Sequence, residues 1–192
     1  MNITKRYDNE IKIIGGTFKG KLIPVLDAAG LRPTPSRVRE TVFSWLSDYI
    51  ENAKVLDLFS GSGALGFESL SRGAKAVVMV ELNIDNSKNL SNIVSSLKTD
   101  RVTVINNDAV SYLKTCNECF DIVFIDPPYS MDNLYDETLS LLINRNLINN
   151  NSLIYVEMRN GSNHAIAGFE VIREQQAGQS KYSLWRKSQL LF

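Results

Sequence analysis

The feature that most constrains this chain is an alternation that begins at Val55. Short runs rich in β-branched residues, 55–59, 76–81, 102–106, 120–126 and 152–157, are separated by stretches with helical spacing at 64–72, 84–97, 109–114 and 133–143. Nearly continuous apolar strands divided by helices predict a parallel sheet covered on both faces. After residue 169 the pattern changes. Residues 170–174 and 183–187 flank a loop holding Gly178, which reads as a closing hairpin and an antiparallel edge. Before Val55, residues 11–14 and 21–25 flank the Gly15-Gly16 and Gly20 turn signals and read as a second hairpin. Pro33 and Pro35 then lead to Ser36, a helix cap by its chemistry, ahead of Val38, Val42, Phe43, Trp45 and Leu46 at helical spacing. The expected architecture is a doubly wound, mostly parallel α/β sheet. Residues 1–50 form a hairpin-and-helix extension packed on the domain 51–192, so that one structural domain results. At 192 residues such a domain buries roughly 70 % of its unfolded surface and needs no disulfide staples.

Within that frame the first strand-to-helix turn is chemically the richest. Gly61, Gly63 and Gly66 in Asp57-Leu58-Phe59-Ser60-Gly61-Ser62-Gly63-Ala64-Leu65-Gly66 match the G-x-G-x-x-G spacing. Glu81 ends the next strand, where an acid meets ribose hydroxyls. This predicts an adenosine-containing cofactor without choosing one. Asp57 narrows the choice, because a carboxylate just before the glycines repels a pyrophosphate and suits a sulfonium bearing an α-ammonium group. The third strand ends in Asn106-Asn107-Asp108-Ala109. There Asp108 suits both a helix N-cap and an acceptor for the adenine amino group, and the two readings are compatible.

Asp126-Pro127-Pro128-Tyr129 follows the apolar strand 120–125, at the sheet edge where ligands of such folds bind. Two prolines stiffen the turn and fix an acid and an aromatic at its ends. An amino group conjugated with a ring needs acceptors for its N–H groups before its nitrogen can pyramidalise and attack. The Asp126 carboxylate and the Pro127 carbonyl suit that task, and Tyr129 offers a face for stacking a base.

Net charge is zero, 21 basic against 21 acidic residues, but it is segregated. Residues 1–40 carry +4, 41–158 carry −7 and 159–192 carry +3. Basic ends around an acidic middle fit a polyanionic partner, or equally an ordinary scatter of solvated charges. No apolar run approaches the roughly 20 residues of a membrane span, and the polar start and two cysteines lead to the expectation of a cytoplasmic protein with no membrane partner. Cys116-x-x-Cys119 has a metal or redox spacing. With no second pair and a single distant His164, ordinary thiols and no metal are expected. Trp45 reads as core, and Trp185 as core or base-stacking.

On these residues the chain resembles class I S-adenosylmethionine-dependent methyltransferases that act on amino groups. More closely, it resembles the RsmD family of bacterial 16S rRNA guanine-N2 methyltransferases. The resemblance runs through Ile13-Ile14-Gly15-Gly16 with Gly20-Lys21, through Gly30-Leu31-Arg32-Pro33-Thr34 with Arg37-Val38-Arg39-Glu40-Thr41-Val42-Phe43, through both motifs above, and through Ala177-Gly178-Gln179. It implies a seven-stranded Rossmann-like sheet. Asp57, Phe59, Gly61, Ser62 and Gly63 would cradle the methionine portion of S-adenosylmethionine, with Glu81 on the ribose and Asp108 and Ala109 at the adenine. Thr34 and Arg37 would lie near the methionine end. Asp126, Pro127 and Tyr129 would hold the guanine, and S-adenosylhomocysteine would be the product. Lys12, Lys19, Lys21 and Arg39 would meet phosphates of 16S rRNA or of a small ribosomal subunit particle, the protein acting as a monomer. The three lysines stand where arginine is frequent in the family, which keeps charge but loses bidentate geometry. A DNA adenine-N6 methyltransferase shares the Asp-Pro-Pro-Tyr logic but needs a target-recognition segment for which the chain has no room. A nicotinamide dehydrogenase leaves Asp57 and the prolyl turn unexplained, and an RNA-binding module without catalysis would use only the basic ends.

Overall fold

In a computed structural model that describes residues 9–26, 34–128, 133–161, 165 and 167–188, the expected alternation folds as a single seven-stranded sheet beside a two-stranded hairpin. The hairpin pairs β1 (Asn9–Lys12) with β2 (Leu22–Val25), and α1 (Ser36–Trp45) follows. The sheet then forms from β3 (Lys54–Asp57), α2 (Ala64–Ser71), β4 (Ala76–Glu81), α3 (Ile84–Leu97), β5 (Val102–Asn106), α4 (Ala109–Thr115), β6 (Phe120–Ile125), α5 (Asn133–Asn144) and β7 (Ile148–Arg159), closed by β8 (Phe169–Ala177) and β9 (Ser180–Lys187). Strand order is β5-β4-β3-β6-β7-β9-β8. The first five are parallel, and β9 is inserted antiparallel between β7 and β8.

Period-2 alternation assigns each strand residue to one of two cores. Val55, Met79, Phe124 and Tyr155 pack with α1, α2, α3 and the hairpin through Val42, Phe43, Phe67, Leu90, Ile13 and Ile23. Leu56, Val80, Ile125 and Val156 pack with α4 and α5 through Leu113, Leu139 and Leu142 on the other face. Trp45 stacks on Tyr182 with ring centroids 5.5 Å apart, and Trp185 is buried in the second core with its indole N–H donating to Ser183 Oγ.

The first hairpin strand lies at Asn9–Lys12 rather than 11–14, and two further local expectations change. Ser36 is the first helical residue rather than the cap: Pro35 holds the cap position without a side-chain bond, and the Ser36 hydroxyl accepts from Arg39 instead. Strand β7 starts at Ile148, four residues earlier than expected, because 149–151 are three asparagines and do not read as a strand. A register shift on β6 between Phe120 and Ile122 absorbs them, with Ser152 Oγ accepting from the Asn149 N–H and donating to the Phe120 carbonyl.

The extension is joined to the core by Glu68 of α2. This fully buried carboxylate accepts from the Ile14 and Gly15 N–H groups at 2.9 Å, from Arg72 Nε at 2.7 Å and from Arg39 Nη1 at 3.3 Å. The Thr17 N–H donates to the Ser71 carbonyl and the Phe18 N–H to Ser71 Oγ. Gly16 sits so close, at φ +74°, that a Cβ there would lie 1.8 Å from the Ser71 carbonyl oxygen. The described hairpin and α1 are thus tied to the core by hydrogen bonds to the buried Glu68 carboxylate.

Candidate active site

The carboxyl edge of the sheet carries four acids on neighbouring strands: Glu81 at the end of β4, Asp57 of β3, Asp126 just after β6 and Glu157 of β7. Register fixes their common side. Glu81 shares parity with Met79, Asp57 with Val55, Asp126 with Phe124 and Glu157 with Tyr155, all residues of the core that faces α1, α2, α3 and the hairpin. Asp57, Glu81 and Glu157 are buried and Asp126 half-buried. Among the described residues, none of the four is in an ion pair with a Lys or Arg. Buried charges are ordinarily paired, so this row is suited to a cationic ligand and hostile to phosphate.

The glycine turn is built around two of these acids. Asp57 Oδ2 accepts from the Gly66 N–H in the first turn of α2 at 3.0 Å, where the helix N-terminus favours negative charge. Burial nevertheless pushes its pKa from 3.8 up to about 7; the Gly66 bond opposes the rise and the Glu81 carboxylate adds to it. Glu81 Oε2 accepts from the Gly61 N–H at 2.7 Å and Oε1 from the Asn83 N–H at 2.8 Å, so Glu81 clamps the turn. Gly63, the residue that enters α2, has φ +79°, and a Cβ there would lie 2.6 Å from Leu90 and Phe67. Phe59 and Gly61 are half-buried, Ser62 is buried, and all lie in the segment linking β3 to α2.

Asp108 is the N-cap of α4, its Oδ1 accepting from the Ser111 N–H at 2.8 Å, with Ala109 buried behind it. Asn106 Nδ2 donates to the Glu81 and Leu82 carbonyls and ties the ends of β4 and β5 together. Asp126 has its pKa raised well above the ordinary aspartate value, first by burial, then by the Glu157 and Asp57 carboxylates. Pro127 is buried beside it, while Tyr129 lies outside the described residues, as do Arg32, Pro33 and His164. Thr34 is buried and Arg37 exposed on the first turn of α1.

Lys12, Lys19 and Lys21 are exposed on the hairpin, as a phosphate contact requires. Arg39 is a correction. It is 2 % exposed, and its Nε, Nη1 and Nη2 donate to the Thr34 and Lys12 carbonyls, to Glu68 Oε2 and to the Ser36 hydroxyl at 3.1 to 3.3 Å. Its fork holds the hairpin to α1 and α2 and is not free for RNA. Two residues of consequence escaped the sequence reading, Glu68 and Glu157. The second had a signal: one acid ending the apolar run Leu153 to Val156, on the strand adjoining Asp126. Both cysteines are free thiols, Cys116 buried and Cys119 exposed. Among the described residues no group of three or more His, Cys, Asp or Glu side chains is arranged to hold a metal ion, and no helix is long and apolar enough to cross a membrane.

Residues 11–186 match the family described as Conserved hypothetical protein 95. The chain is 41 % identical over 180 residues to Ribosomal RNA small subunit methyltransferase D of Escherichia coli K12, covering 93 % of this chain and 90 % of that protein. It is 43 % identical over 158 residues to the protein of the same name from Haemophilus influenzae, covering 80 % and 81 %. The solved Escherichia coli structure yhhF superposes with a TM-score of 0.85 at 40 % identity, covering 93 % of this chain and 98 % of that one.

Proposed function

Since the chain belongs to the RsmD family of ribosomal RNA small subunit methyltransferases, we propose that it transfers a methyl group from S-adenosylmethionine to the exocyclic N2 of one guanine in 16S rRNA. The observation that carries this reading is the row of buried carboxylates, without cationic partners among the described residues, that runs from the glycine turn to Asp126-Pro127-Pro128. S-adenosylmethionine supplies a methyl group on a cationic sulfur whose departure as a neutral thioether needs neither a metal nor a covalent enzyme intermediate. Asp57 and the turn at Phe59, Gly61, Ser62 and Gly63 meet its methionine portion with negative charge and close backbone, Glu81 meets the ribose, and Asp108 with Ala109 the adenine. Thr34 and Arg37 border the methionine end.

Asp126 and the Pro127 carbonyl take the N–H groups of the acceptor base, and Tyr129 stacks on its ring. Alignment of this kind is worth roughly 7 to 11 kcal/mol over a bimolecular encounter, so positioning supplies most of the rate. A paired guanine cannot present N2 to this pocket, which requires a loop or an extruded base. Lys12, Lys19 and Lys21 hold the RNA by its phosphates. The substrate is 16S rRNA, naked or within a small-subunit particle, and the working unit is a cytoplasmic monomer.

The test is tritium transfer from labelled S-adenosylmethionine to small-subunit rRNA that lacks the modification, followed by mapping of the labelled base. Label confined to N2 of one guanine is the expected result. Label on an adenine, or transfer to DNA in preference to rRNA, refutes the assignment.

A further inference from the structure

Glu157 is left without a task by the reading above. Its strand pairs with β6 through Phe124 and Tyr155 and through Ile125 and Val156, which brings Glu157 alongside Asp126 on the neighbouring strand, on the same face. The side chain is anchored: Tyr155 Oη donates to Glu157 Oε2 at 2.9 Å, and Tyr135 Oη of α5 donates to the Glu157 carbonyl. Among the described residues, the groups facing Asp126 are Glu157 and Tyr155 on β7, with Tyr182 of β9 behind them, and Asp57 on β3, itself next to Glu81 of β4. Among the described residues, the charges that act on Asp126 most strongly are the Glu157 and Asp57 carboxylates. A carboxylate is an unfavourable choice for a buried strand position if its work is only to accept one hydroxyl, because a glutamine accepts the same bond without burying a charge.

We propose that Glu157 is a positioning residue of the methyl-acceptor site, holding a fixed negative charge against Asp126 so that Asp126 takes the proton the substrate amino nitrogen must release. This rests on the amino-group methylation proposed above. The nitrogen lone pair forms the new N–C bond as the C–S bond breaks and its electron pair stays on sulfur. The nitrogen, now cationic, passes one proton to the Asp126 carboxylate, which returns it to solvent. An ordinary aspartate is a weak acceptor at neutral pH, and a like charge alongside strengthens it.

The experiment is the pH dependence of single-turnover methyl transfer to unmodified small-subunit rRNA, at saturating S-adenosylmethionine, for the wild type, Glu157→Gln and Glu157→Asp. In the wild type the rate rises with pH as Asp126 deprotonates. Removing the neighbouring charge lowers the proton affinity of Asp126, so in Glu157→Gln the midpoint moves to lower pH by about one pH unit. The plateau falls roughly tenfold because the acceptor is weaker. Glu157→Asp keeps the charge and restores the midpoint to within about half a pH unit of the wild type. A lower plateau with an unmoved midpoint is the mark of a merely structural role and overturns the proposal, as does an unchanged profile. Should Glu157→Gln not fold, carbon-13 NMR of wild-type aspartate carboxyls, with Asp126 assigned by its loss in Asp126→Asn, decides instead. A midpoint within the ordinary carboxylate range overturns the proposal. Absence of any methyl transfer by the wild type overturns both this inference and the reading it rests on.

Discussion

Asp57→Asn isolates the electrostatic strain at the centre of the site. The amide oxygen still accepts from the Gly66 N–H, so the first turn of α2 keeps its partner while the charge disappears. In the wild type burial raises the Asp57 pKa from 3.8 to about 7, equivalent to about 4 kcal/mol at 1.36 kcal/mol per pH unit. The sign follows from proton binding: between pH 4 and 7 the folded chain holds a proton at Asp57 that the unfolded chain has released. The associated stability is present below pH 4 and lost as pH rises through 7. Between pH 5 and pH 8 the wild type therefore loses about 3 kcal/mol through this residue, and Asp57→Asn does not. Urea denaturation of the ligand-free chain at the two pH values measures the difference. The variant should become the more stable protein at pH 8 by about 1 to 2 kcal/mol, after about 1 to 2 kcal/mol is deducted for its newly buried amide donors. Calorimetry should find S-adenosylmethionine bound at least tenfold more weakly by the variant at pH 8. Parallel loss of stability in both proteins, or equal affinity, would refute the idea that the strained carboxylate is kept for a cationic ligand.

Three further perturbations address the other parts of the site. Asp126→Ala should abolish methyl transfer to rRNA while leaving affinity for S-adenosylmethionine within about threefold of the wild type by calorimetry, because the proposed function sets Asp126 against the acceptor base and not the cofactor; retained turnover removes it from the mechanism. Reversing charge at Lys19 and Lys21 should weaken rRNA binding and flatten the logarithmic salt dependence by roughly one unit of slope for each phosphate that is no longer neutralised, as read from filter binding between 50 and 200 mM salt; an unaltered slope excludes these lysines from the interface. Arg39→Lys keeps a cation but loses the planar fork that meets two carbonyls, a carboxylate and a hydroxyl, and should cost about 2 to 4 kcal/mol in urea denaturation. A change below about 0.5 kcal/mol would show the buried network to be dispensable.

What was readable in the sequence divides along physical lines. The parallel strands and α2 to α5 were legible because a sheet buried on both faces demands nearly continuous apolar runs, and β4, α3 and β5 begin and end at the residues expected. The start of β7 was not, because three asparagines become strand only through a register shift set by Ser152 and Phe120. The acids Asp57, Glu81, Asp108 and Asp126 were legible because each falls at a strand end or the helix cap after it, a position where topology by itself implies a ligand. Glu157 lies two residues before the end of β7 and carries no turn motif after it, so only the pairing of Ile125 with Val156 reveals its neighbour.

Arg39 shows where one-dimensional charge reading fails. Segregation of charge along the chain counts residues, while binding depends on which of them reach solvent. Lys12, Lys19 and Lys21 sit on an exposed hairpin, whereas Arg39, on a helix face that turns inward, neutralises Glu68. The excess of +4 in residues 1–40 thus contains one charge that is neutralised internally. That internal pair is what fixes the hairpin: Arg39 binds the Lys12 carbonyl, and Glu68 binds the Ile14 and Gly15 N–H groups on the other side of the same segment. The surface lysines are consequently presented from a rigid support on the side of the sheet toward which Asp57, Asp126 and Glu157 project. A loose basic tail would attract RNA equally well by charge alone. A hairpin fixed by a buried arginine would restrict the orientations of an RNA bound as proposed, and orientation is what the proposed methyl transfer depends on.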